Sequence, residues 1–188
     1  MFCIPRSTFH PALALLALAT VALALVTGPA RAAGTPPAAK HRADPRLVVR
    51  GDATAVAGPC DARACQLKLA DGRFRGAPVG SGAYTASFKL KVGEAFPNGE
   101  GGICAPLEGR IVLGIGTPDR LVLTVSGDSC QDGGGPLTGA SFTGLAQFTV
   151  KYATGSYAGA GGTGLASFTE DAAHHHRMTL VGRLGGAS

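Results

Sequence analysis

The sequence predicts an all-β protein folded as a single antiparallel β-barrel of about eight strands. Three observations carry this expectation. Apolar and polar residues alternate with period two, as in Tyr84, Ala86, Phe88 and Leu90 against Thr85, Ser87, Lys89 and Lys91. Beyond residue 45, glycine and proline interrupt every window long enough for a helix. One phrase is also written twice: Gly144-Leu145-Ala146-Gln147-Phe148-Thr149 returns as Gly164-Leu165-Ala166-Ser167-Phe168-Thr169, with turn-forming residues between the copies. That is the pattern of two strands joined by a hairpin. Such a sheet must hide its edges, and closure into a barrel does so most completely. A β-sandwich is the alternative. Glycines at core-facing positions (Gly109, Gly144, Gly164), beside large residues such as Phe142 and Phe148, favour the barrel, because tight coiling needs small residues inside.

The ends bound the domain. Residues 1–32 read as a secretory signal: Arg6 precedes an apolar run over 12–26 broken only by Thr20, and Ala30-Arg31-Ala32 offers the small residues of a cleavage site. The run falls short of the roughly 20 residues of a spanning helix, so no stable membrane insertion is expected. Residues 33–45, without periodicity, read as a disordered arm, and 46–188 as the barrel domain. The formal charge of +5 is spread along the chain, apart from a cluster at Lys40, Arg42, Arg46 and Arg50 that reads as a solvated arm. No basic stripe with interleaved aromatics points to nucleic acid.

Along the chain, residues 47–56 make a first strand, 59–64 a loop, and 66–70 a short strand ended by the Asp71-Gly72 turn signal. Residues 84–92 alternate strictly, and the glycine- and proline-rich stretch 96–106 reads as a loop. Leu107, Gly109, Ile111, Leu113 and Ile115 form the next strand, Thr117-Pro118-Asp119 a turn, and 121–126 another strand. A long glycine loop over 127–139 carries Cys130. Phe142, Gly144, Ala146, Phe148, Val150 and Tyr152 share one face of the strongest strand; its second copy follows, and the last strand runs from about His174 to Leu184.

Cys3 leaves with the signal, so four cysteines remain in an exported chain and read as two disulfides. Of three possible pairings, Cys60–Cys65 and Cys104–Cys130 are expected. The first closes a small loop; the second ties loops flanking the Ile111 and Leu121 strands. The longer closed loop should stabilise more, on the order of 3 kcal/mol. A four-cysteine zinc site lacks the usual closely spaced cysteine pairs.

The stretch Ala153-Thr154-Gly155-Ser156-Tyr157-Ala158-Gly159-Ala160 resembles the Gly-Gly-Thr/Ser-Gly-x-Phe/Tyr-x-Gly hairpin of allene oxide cyclase-like and dirigent-like barrels. Ala153 or Thr154 replaces the first glycine of that pattern; Gly155, Tyr157 and Gly159 keep the rest. The resemblance covers about the last 50 residues, with the upstream alternation compatible. It implies an eight-stranded antiparallel barrel in which the aromatic packs over one end. The plant cyclases isomerise an unsaturated fatty-acid epoxide with a buried carboxylate and ordered water. Glu94, Glu100 and Glu108 lie in or beside a loop and match no such carboxylate, so the resemblance implies the fold and not the activity.

Two features could carry function. Tyr84, Phe88, Phe142, Phe148 and Phe168 face inward and either fill the core or line a pocket for a small hydrophobic ligand. His174 and His176 share one side of a strand, with Glu170 or Asp171 nearby, and could weakly chelate zinc or copper given a third ligand. No nucleophile elbow, calcium loop or phosphate cradle is present in its required setting. The expected function is therefore that of a secreted, non-catalytic barrel binding a small hydrophobic ligand or an extracellular surface. The alternatives are a cyclase-like isomerase acting on an oxidised lipid and a histidine-based metal-binding module. No cofactor is required by the first reading, and the sequence leaves the oligomeric state open.

Overall fold

Most inward residues on the long strands are apolar or glycine, Glu170 and His176 being buried polar exceptions, and the strands hydrogen-bond into a closed ring. The computed structural model describes residues 46–131 and 141–186; the expected signal and arm, and most of the 127–139 loop, lie outside the described residues. The strands are β1 (Arg46–Cys60), β2 (Cys65–Ala77), β3 (Gly80–Leu90), β4 (Phe96–Pro97), β5 (Ile103–Leu113), β6 (Leu121–Gln131), β7 (Phe142–Ala153), β8 (Gly161–Glu170) and β9 (His175–Gly185). Single 3-10 turns occupy Val92–Glu94 and Gly155–Tyr157. Eight strands close in the order β1-β2-β3-β5-β6-β7-β8-β9, and β9 pairs back onto β1. All pairs are antiparallel. The short β4 only extends the edge beside β5. The closed barrel, not the sandwich, is the fold.

Curvature comes from a repeated pairing of a ring with a glycine. Phe88 faces Gly109, Phe148 faces Gly164, Phe168 faces Gly144 and Tyr84 faces Gly72 across neighbouring strands. A Cβ on Gly72 would stand 2.7 Å from the Tyr84 ring, and one on Gly164 would stand 2.6 Å from Phe148 Cε1. The missing side chains are the space the rings occupy. Leu47, Val49, Ile111, Leu123, Ala166 and Leu180 complete a core with no exposed surface.

Several strand ends differ from the sequence expectation: β1 runs on to Cys60, β3 starts at Gly80, and β5 stops at Leu113, leaving Ile115 outside it. Asp71-Gly72 is a bulge, not a turn: Asp71 has φ 54°, the register slips there against both neighbours, and β2 continues to Ala77. A positive φ serves a bulge as readily as a turn, and pairing on both sides decides which forms. β5 starts at Ile103 inside the expected loop, and β6 runs through Cys130 to Gln131. Cys104 and Cys130 are thus cross-strand partners, and their disulfide joins two strands rather than two loops. The Cys60–Cys65 disulfide closes the β1–β2 hairpin. Both pairings are the expected ones.

The β7–β8 connection lies over one barrel end, beside a pocket of about 130 Å3 lined by Phe74, Leu113, Leu121 and Tyr157. Thr154 Oγ1 donates to the Pro118 carbonyl at 2.6 Å, Ser156 N donates to Asp119 Oδ1 at 2.7 Å, and Tyr157 packs against the core. The opposite end carries both disulfides.

Candidate functional site

The disulfide-bearing end is not filled. Toward this end the inward positions of β1, β6 and β7 include Ala57, Ser129 and Gly144, too small to meet across the barrel. They leave a cavity of about 170 Å3. Its aromatic wall is a cluster from three strands. Phe88 and Phe168 meet edge to face at 5.1 Å between centroids; the His176 ring lies 5.6 Å from Phe168 and stacks 6.2 Å from Phe88. Leu67, Leu90 and Leu107 add aliphatic surface.

Polar groups converge on one side of this apolar space. Glu170 and His176 are cross-strand partners on β8 and β9, both facing inward and 8% and 3% exposed. Glu170 Oε1 lies 3.0 Å from His174 Nδ1. His176 Nδ1 is buried with no hydrogen-bond partner, and burial pushes the imidazole down to about 4. At neutral pH the ring is uncharged.

The tight turn before β9 presents the histidines. Asp171 Oδ1 accepts from Ala173 N at 2.9 Å and from His175 N at 3.0 Å, and the His175 amide chiefly holds this carboxyl below its usual range. His174 adopts φ 62° in this turn, so it does not belong to the strand, which starts at His175. The expected strand geometry for His174 and His176 is therefore corrected: His176 is on the inner face, and His174 reaches the cavity from the turn with its side chain 60% exposed. Among the described residues, no group of three His, Cys, Asp or Glu side chains is placed to hold a metal ion.

Of the five aromatics singled out in the sequence, Phe88, Phe142 and Phe168 line the cavity. Tyr84 and Phe148 do not: they sit deeper, 2% and 1% exposed, in the packed core. Burial drives the Tyr84 hydroxyl upward, and its oxygen has no partner. Sequence reasoning missed Glu170 as an inward carboxylate. The signal was there: Glu170 continues the parity of Ala166 and Phe168. Glu108, considered instead, is exposed on β5 and pairs with Lys91. Comparison of the chain with protein-family models, curated proteins and solved structures finds no match.

The neutral, buried His176 makes stability depend on pH. Its folded pKa of about 4 lies below the 6.5 of a free imidazole, so the unfolded chain binds the proton first. The stabilisation is complete above the unfolded value and is lost as pH falls toward the folded one. Between about pH 7 and about pH 4.5 the wild type should lose about 2 kcal/mol more than His176→Phe, whose ring has nothing to protonate. Urea midpoints of both proteins at the two pH values measure this; equal losses would mean that His176 is not buried uncharged.

Proposed function

We propose that this chain is an exported, non-catalytic barrel that binds a small hydrophobic ligand in the cavity at its disulfide-bearing end. One observation carries the reading: where the barrel centre is packed by rings seated on glycines, this end alternates aromatic walls with small residues and holds a few polar groups at its edge. The volume limits the ligand. An apolar cavity of about 150 Å3 holds benzene, so about 170 Å3 suits a single ring or a short branched chain. Export rests on the signal-like first 32 residues and is compatible with the two disulfides.

A second reading, isomerisation of an oxidised lipid, has one observation in its favour: Glu170 is a carboxylate buried at the cavity wall. A long-chain lipid would leave most of its length outside, so binding of a compact ligand is preferred.

The test uses toluene as the probe, followed by NMR at the ring protons of Phe88, Phe142 and Phe168. Saturable shifts are expected. Ser129→Phe would place a ring in the cavity beside Gly144 and Phe168 and should abolish the shifts in a variant that still unfolds cooperatively in urea. Absence of saturable shifts in the wild type would remove the proposal. Turnover of a defined lipid that is lost in Glu170→Gln would replace it with the isomerase reading.

A further inference from the structure

We infer that the ligand of this cavity is a small organic cation, an aryl or short alkyl body carrying a primary ammonium group. The inference rests on reading the cavity as a ligand site and names the chemistry that site selects. Among the described residues that line it, Glu170 is the one carboxylate, and no lysine or arginine lines it. Glu170 is 8% exposed, yet among the described residues its one hydrogen-bond partner is His174, a mostly exposed side chain. A carboxylate this buried requires donors and opposite charge to offset lost hydration, and one rim imidazole supplies only part of that.

The neighbouring surface suits the same ligand. Phe168 precedes Glu170 by two residues on the same inward face and stands edge to face with Phe88. Ring faces next to a carboxylate attract an ammonium head by the ring quadrupole as well as by charge, while the apolar body occupies the space beside Leu67 and Leu107. An ammonium carries three donors, enough to bond Glu170 and still reach a second acceptor. His176 contributes no competing positive charge, because burial keeps it neutral. A carboxylate ligand, the usual head group of a free fatty acid, would meet Glu170 as a like charge in a poorly hydrated site.

Isothermal titration of the purified, disulfide-bonded protein with four probes of one size tests the inference: benzylamine, benzyl alcohol, toluene and benzoate. Benzylamine should bind at least about tenfold tighter than benzyl alcohol or toluene, and benzoate weakest, as expected for a charge-assisted hydrogen bond at a buried carboxylate. In Glu170→Gln the preference for benzylamine should vanish while toluene affinity holds, which also reports that the variant is folded. Benzylamine binding no tighter than toluene, or benzoate binding best, would overturn the inference and leave the cavity reading standing. No binding by any of the four, toluene included, would instead remove the cavity reading itself.

Discussion

Phe148→Ala should lower the unfolding free energy by about 3–5 kcal/mol, the largest effect expected of any single side chain in this barrel. Phe148 is 1% exposed and lies at the centre of the β7–β8–β9 surface. Cβ atoms built on Gly164 and Gly182 would stand 2.6 and 2.7 Å from its ring. Two of the walls that enclose the ring are therefore bare backbone. Nothing on Gly164 or Gly182 can swing into the void, so the truncated site should relax little, which places the cost at the upper end of such substitutions. Phe142→Ala provides the contrast. Phe142 is only half-buried, at the cavity rim, and its loss should cost on the order of 1 kcal/mol while weakening toluene binding. Urea denaturation with both disulfides intact reads the two variants on one scale. A cost for Phe148→Ala no larger than that for Phe142→Ala would mean that the barrel centre is not packed around this ring.

Alanine in place of the two repeat glycines should have very unequal consequences, although the local sequences match. Gly144 and Gly164 each open a Gly-Leu-Ala-x-Phe-Thr phrase. A Cβ on Gly164 would overlap the Val181 carbonyl oxygen and lie 2.6 Å from both Gly182 Cα and Phe148 Cε1. Two of these three are backbone atoms of the adjoining strand and cannot move without breaking the β8–β9 ladder. Gly164→Ala should therefore cost about 3 kcal/mol, the upper range for overpacking. A Cβ on Gly144 would approach Phe168 Cδ2 no closer than 3.2 Å and the Asp128 carbonyl at 3.4 Å. Gly144→Ala should fall within about 0.5 kcal/mol of wild type, the small crowding being offset by the loss of glycine's unfolded-state freedom. Thermal and urea midpoints of the two variants check this; similar losses at both sites would contradict the asymmetry of the two surroundings.

Much of the molecule is written in local pattern. The inward parity of Phe88, Phe148, Phe168 and Met178 follows from period two alone, because successive side chains on a strand must alternate faces. The even number of cysteines and their positions sufficed for the pairings Cys60–Cys65 and Cys104–Cys130. Strand ends were less legible. β6 beyond Ser126 reads Gly-Asp-Ser-Cys-Gln, with no apolar residue to mark its inner face, and it is a strand because β5 and β7 supply partners on both sides. Turn-like residues at Asp71-Gly72 could not announce a bulge, since the same backbone conformation serves both.

By itself, then, the sequence pointed to an antiparallel barrel, to its two disulfides and to most of the side chains that face inward, the last because alternation depends only on neighbours along the chain. Only the tertiary structure decided which inward side chains are core and which are site. Tyr84 and Phe148 meet filled layers, whereas Phe88, Phe142 and Phe168 face Ala57, Ser129 and Gly144 from other strands. It also brought Glu170, His174 and His176 to one cavity wall. The physical reason is that an inward position is filled or empty according to what all eight strands place at the same height, and that stagger is set by ring closure.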